Sequence, residues 1–76
     1  MLPTDQDIAA ALIRFADQRI GSSFCPSEVA RDLAEDWRPL MGDIRRVAAD
    51  LGLKATQRGA TVDPILARGP IRLRRA

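Results

Sequence analysis

The side chains able to do chemistry in this chain are almost all guanidiniums. Eleven Arg and one Lys stand against ten Asp and Glu, with no His, no Tyr and a single Cys. Without His, neither a Ser–His nor a Cys–His nucleophile system can be assembled from these residues. One Cys and no His also leave no ordinary structural zinc set. Neither a GxxxxGK[ST] nor a GxGxxG phosphate loop occurs. The carboxylates are scattered over helix surfaces and ends rather than paired for acid–base work. The expectation is a protein that is not an enzyme and carries no metal or cofactor. What guanidiniums do well is hold anions, phosphates bidentately and guanine edges in a groove.

Seven cations fall where two elements would present them: Arg38, Arg45, Arg46, Lys54, Arg58, Arg72 and Arg74. From Asp36 to Gly52 the chain reads DWRPLMGDIRRVAADLG, with Leu40, Met41, Ile44, Val47, Ala48 and Leu51 at helical spacing on one side. That spacing predicts a helix with Asp36 as N-cap, Pro39 in the tolerated first turn and Gly52 at the left-handed stop. Gly42, Arg46 and Ala49 then face away from the core. Arg38 and Arg45 run along one edge, Asp43 and Asp50 along the other. A glycine inside a helix costs about 1 kcal/mol relative to Ala, so Gly42 asks for close approach of a partner or tight packing. Asp43 and Asp50 are spaced to pair with Arg46. The face also lacks Asn, Gln, Ser and Thr, so contacts with a duplex would be mainly to backbone.

After Gly52, Leu53–Arg58 alternates, which predicts a half-buried strand. Gly59-Ala60-Thr61 is a turn candidate and Asp63-Pro64 a second break. Pro64 to Ala67 is expected to form one helical turn, ended by Gly69-Pro70. Ile71 and Leu73 alternate with Arg72 and Arg74, a second strand with Arg on its solvent side. The two strands would pair antiparallel with residues 59–70 as a long wing.

The first half supplies the support. Thr4 is the expected N-cap of a first helix, and Asp7 can close a capping box. Ile8, Ala9, Leu12, Ile13, Phe15 and Ala16 follow a helical period to an end near Arg19 or Ile20, with Gly21 as the stop. Arg14 and Asp17 are a candidate surface pair. Ser23-Phe24 suits a minimal strand that joins the hairpin, with Phe24 a core anchor. Pro26 opens a second helix, with Val29, Ala30 and Leu33 as its apolar stripe. Cys25 reads as a small buried hydrophobe and Trp37 as a boundary residue packed on the second helix. The short turn between the second and third helices forces a steep crossing.

The fold class expected is therefore α+β, a winged helix-turn-helix: three helices followed by a two- or three-stranded antiparallel wing, in one domain spanning 1–76. A chain of 76 residues has a core worth only a few kcal/mol, about 3–5. It leaves little room for a ligand cavity of about 300 Å³ or more. No apolar run is long enough for a membrane span and MLPTDQD does not read as a signal peptide. With a lone cysteine, the expected setting is cytoplasmic, without membrane contact.

The net charge of +2 hides a polarity. Residues 1–36 carry three Arg against seven carboxylates, a sum of −4, and residues 37–76 carry nine basic side chains against three Asp, a sum of +6. Two readings stay open: an anionic partner for the C-terminal half, or attraction between the halves across the fold.

FCPSEVARDLAEDWRPLM and QRGATVDPILARGPIRLR resemble segments of a family of short bacterial proteins catalogued only as a domain of unknown function. The matching stretches are Cys25–Arg31, Trp37-Arg38, Gln57–Gly59, Val62–Pro64 and Gly69–Leu73. The resemblance implies a small winged-helix-like domain and supplies no activity, ligand or partner. Asp63-Pro64 within it reads as a turn former. The function expected from the residues is binding of double-stranded DNA by a monomer or weak homodimer. Arg38, Arg45 and Arg46 would act from the third helix, and Lys54, Arg58, Arg72 and Arg74 from the wing. The alternative is a protein-interaction module of the same fold.

Overall fold

A computed structural model describes residues 2–76. The order is α1 (Asp5–Gln18), α2 (Pro26–Leu33), a 3₁₀ turn (Arg38–Leu40), α3 (Met41–Asp50), β1 (Lys54–Gln57), β2 (Ala60–Val62) and β3 (Arg72–Arg74). The helices pack pairwise on one another, and the strands form one antiparallel sheet in the order β2-β1-β3. Three helices followed by this sheet is an α+β layout consistent with a winged helix. None of the described helices is long and apolar enough to cross a membrane.

Local chemistry accounts for most boundaries. The Thr4 hydroxyl accepts the Asp7 N–H at 3.2 Å, and Asp7 Oδ2 accepts the Thr4 N–H at 2.9 Å, a closed capping box. Pro26 starts α2, where a missing N–H costs nothing. α3 ends in a Schellman arrangement: Gly52 has φ +72, its N–H meets Ala49 O, and Leu53 N–H meets Ala48 O.

The expected helix start at Asp36 is not where α3 begins. Pro39 disfavours helical geometry at Arg38, so the chain makes a 3₁₀ turn, with Leu40 N–H on Trp37 O at 3.0 Å, and becomes α-helical only at Met41. Asp36 caps nothing in α3. Gly42 therefore sits in the first turn of α3, and a Cβ there would meet nothing within 4 Å. Tight packing is not the reason for this glycine.

The core gathers all three helices and the sheet. Ile8, Leu12, Phe24, Val29, Ile44 and Leu73 are its largest fully buried side chains. Phe24 forms the expected minimal strand: its N–H and C=O both bond Leu73, each at 2.8 Å. Leu51, expected on the buried side of α3, lies past the helix end and is exposed.

The expected long wing resolves into two different parts. Arg58 (φ +53) and Gly59 (φ +85) make a two-residue turn, and Gln57 pairs with Ala60. Positive φ at both central positions matches the twist of a tight hairpin. The turn thus closes one residue earlier than Gly59-Ala60-Thr61, and Ala60–Val62 becomes a strand. Since β2 and β3 are both antiparallel to β1 and lie on opposite sides of it, they run the same way. The segment 63–71 must therefore cross over β1, which explains its length. It begins with the expected single turn: Asp63 Oδ1 accepts the Ile65 and Leu66 N–H groups, and Ala67 N–H bonds Asp63 O at 2.9 Å.

Candidate nucleic-acid interface

The seven candidate cations divide into groups with different surroundings. Arg45 is half-buried and works inside the fold. Its Nη1 donates to Ala67 O at 2.6 Å and its Nη2 to Gly69 O at 2.7 Å. Gln57 Nε2, from the inward side of β1, donates to Arg68 O at 2.5 Å and Pro70 O at 3.2 Å. Two side chains thereby fix four consecutive carbonyls of the crossover against α3 and β1. The crossover runs on the helix side of the sheet and covers the Arg45 edge of α3. The turn at its start leaves Ile65 56% and Leu66 77% exposed on an anchored segment.

Arg46 is also engaged. Its Nη1 and Nη2 form a fork on Asp5, at 3.0 and 2.8 Å, and Nη2 reaches Asp43 at 3.4 Å. Asp5 is held below its usual carboxylate pKa by that bonding, and Arg46 is raised in turn. Asp43 is one of the two partners that spacing offered; Asp5, 41 residues away, was invisible to it. With Asp50 on the same exposed side, this face of α3 sets three carboxylates against one guanidinium. It is not a basic surface.

Arg38 lies 4.6 Å from the centre of the Trp37 ring, as does Arg31. Trp37 is half-buried at the boundary, as expected, and gains cation–π contacts from both sides of the helix junction in sequence.

Lys54, Arg72 and Arg74 share the outer face of the sheet. Ala55 and Leu73 point inward and are buried, so their neighbours point outward. The register places Lys54 opposite Arg74 and Thr56 opposite Arg72 and Thr61. Arg72 is oriented by neutral acceptors: Nε to Ser23 Oγ at 2.9 Å, Nη2 to Ser23 O at 2.7 Å and Nη1 to Cys25 Sγ at 2.9 Å. Cys25 is half-buried and accepts this bond, so it is not the fully buried hydrophobe expected. Arg58 projects from the hairpin tip. Among the described residues, no carboxylate lies within 4.0 Å of Lys54, Arg58, Arg72 or Arg74. Two like charges directly opposite across a ladder destabilise the pair.

The attraction between the halves that the charge split allowed is present. Arg46 with Asp5 and Arg75 with Asp17 join the basic half to the acidic half. Asp17 is thus taken by Arg75, and Arg14 pairs with Asp32 rather than with Asp17. Among the described residues, the sheet-face cations share the lack of a carboxylate within 4.0 Å with Arg31, Arg38, Arg45 and Arg68.

The family model for DUF3253, described as a protein of unknown function, matches residues 5–76. The chain belongs to DUF3253. No curated protein matches it. The segments that carry the family resemblance meet in space: Cys25-Pro26-Ser27, Trp37 and Gly69-Pro70-Ile71 line one cleft of about 380 Å³. A chain of this length therefore does have room for such a cavity, against the expectation from size.

One further carboxylate in this DUF3253 chain has a measurable role. Glu28 Oε2 accepts the Cys25 N–H at 2.8 Å and Oε1 meets Arg19 at 2.9 Å. The Cys25 bond, and then Arg19, hold its pKa below the usual value of 4.5. A lowered folded pKa means stability that is present above the ordinary Glu range and lost as pH falls through the folded value. Urea unfolding at a series of acidic pH values should give a shallower acid limb for Glu28→Gln than for the parent. An identical slope would place Glu28 outside the acid response.

Proposed function

We propose that the domain binds the phosphate backbone of duplex DNA through the outer face of its sheet. The observation that carries this reading is the row of Lys54, Arg72 and Arg74, with Arg58 at the tip and, among the described residues, no carboxylate within 4.0 Å. An anion laid across that face removes the repulsion between Lys54 and Arg74 and needs no rearrangement of Arg72. Arg38, expected on the third helix, lies instead in the 3₁₀ turn before α3 and adds a cation from there. Arg45 and Arg46, committed to the crossover and to Asp5, are not assigned contacts in this account. Such a surface is a backbone binder with weak sequence preference, because Thr56 and Thr61 are the main neutral polar side chains beside the cations.

The test is the salt dependence of affinity for a random-sequence duplex, measured by fluorescence anisotropy. Each lost phosphate contact reduces the slope of log K against log salt by about 0.9. The Lys54→Ala/Arg74→Ala double variant should lower it by about 2, whereas Arg46→Ala should leave it unchanged. Equal slopes for the parent and the double variant would remove the sheet face as the interface.

A second reading, a protein-interaction module, is favoured by Ile65 and Leu66. They are exposed side by side on a segment that Arg45 and Gln57 hold in place, and a pre-ordered apolar pair is the kind of anchor that protein interfaces use.

A further inference from the structure

We infer that the cleft between the start of α2, Trp37, α3 and the end of the crossover binds a small amphipathic carboxylate, an apolar body with one anionic head. Its volume, about 380 Å³, falls within the range of ligand clefts. Pro26, Trp37, Met41, Pro70 and Ile71 make apolar walls, and Arg45 is the one charged side chain among them. Water held against such walls is released by an apolar body.

Charge selects the head. A guanidinium carries five N–H donors, and Arg45 uses two sites on Ala67 O and Gly69 O. Those bonds fix its position without neutralising it, and no carboxylate lies within 4.0 Å among the described residues. Arg31 and Arg38, both over the Trp37 ring, make the rim more positive. Glu28 and Asp36 each adjoin the lining in sequence; Glu28 is turned to the Cys25 N–H and Arg19, and Asp36 is exposed. A cation is repelled here, and a neutral ligand leaves the remaining Arg45 donors unused. A carboxylate has two coplanar oxygens that suit a guanidinium edge, and Ser27, whose side chain carries a hydroxyl, lines the same cleft. This inference does not depend on DNA binding, which uses the outer face of the sheet.

The experiment titrates the ¹⁵N-labelled full chain with sodium octanoate and, in parallel, with octan-1-ol. The emission of Trp37, the one Trp of the chain, gives a second readout. The result expected is saturable shifts at the amides of residues 25, 27, 41, 45, 69 and 71, with octanoate bound about tenfold more tightly than octanol. Arg45→Met should equalise the two. Because that variant also loosens the crossover, Ser27→Leu provides an independent check: it adds bulk to the cleft while sparing the Arg45 bonds. It should abolish the octanoate shifts and leave the rest of the spectrum in place. Octanol binding as well as octanoate would overturn the inference. So would octanoate shifts gathered instead at a second cleft, lined by Leu2, Asp7, Ala10 and Ala11, or unchanged octanoate binding by Ser27→Leu.

Discussion

Phe24→Ala should lower the unfolding free energy by about 3–5 kcal/mol, the range for truncating a buried aromatic. The loss is as large as the whole net stability expected of so small a core, about 3–5 kcal/mol, so the variant should be largely unfolded at 25 °C. Phe24 joins the two halves of the chain. Its ring is fully buried and tilted against Phe15 at 5.6 Å between centroids. Its backbone makes both bonds to Leu73, tying the loop before α2 to the last strand. Alanine keeps those two bonds and removes only the ring, so the measured loss reports packing. Phe24→Leu, which keeps much of the volume, should lose about 1.5 kcal/mol or less. Circular dichroism in urea distinguishes these cases. A loss under about 1 kcal/mol for Phe24→Ala would contradict the account of the core.

The second large effect is expected at Arg45. A hydrogen bond to a charged group contributes about 1.5–3 kcal/mol, and the bond to Gly69 O is exposed enough to be weakened by water. Arg45→Ala should therefore destabilise by about 2 kcal/mol in total. It should also release the crossover locally. The Ile65 and Leu66 amides, which depend on the turn at Asp63, should exchange faster than in the parent while the amides of α1 keep their relative protection. Arg45→Lys keeps the charge but replaces the two-pronged fork with a single ammonium, so it should recover only part of the loss. An Arg45→Ala variant with unchanged stability and unchanged exchange would show that Gln57 alone holds the segment.

The contrast between Arg45 and Lys54 marks how far the sequence could be read. Periodicity placed both correctly with respect to the core, Arg45 at an edge of α3 and Lys54 on the solvent side of β1. It could not tell that Arg45 finds two carbonyls 22 and 24 residues away. Those acceptors belong to a crossover whose path depends on β2 folding onto β1, and that in turn rests on Arg58 adopting positive φ without an Asn to announce it. Arg46 was legible only through Asp43, because the Asp5 partner is set by the packing of α1 on α3. Signals contained within a few residues were the dependable ones. The Thr4–Asp7 box, Pro26 at a helix start, Gly52 at a helix end and the Asp63 turn each rest on bonds between near neighbours. The helix start at Asp36 failed for an equally local reason, the restraint that Pro39 places on Arg38. Gln57 was part of the resemblance, yet its amide gave no sign of its function until the carbonyls of Arg68 and Pro70 were in view.

The same logic separates the basic residues into structural and available sets. Arg14, Arg19, Arg46 and Arg75 hold carboxylates, and Arg45 holds carbonyls. Exposed ion pairs of the first kind contribute little each, about 0–1 kcal/mol, but they remove those arginines from the field that an approaching polyanion meets. Lys54, Arg58, Arg72 and Arg74 hold no carboxylate within 4.0 Å among the described residues, Arg72 bonding only neutral acceptors.

The central claim is that this face, and not the exposed side of α3, meets the duplex. The direct measurement is an NMR titration of labelled protein with a random-sequence DNA duplex at low and at moderate salt. The account predicts shifts at residues 54, 56, 58, 61, 72 and 74 that fade as salt rises, with residues 42, 43, 46 and 50 still. Shifts centred on 42–50 with the sheet unmoved, or no shifts at low salt, would contradict it.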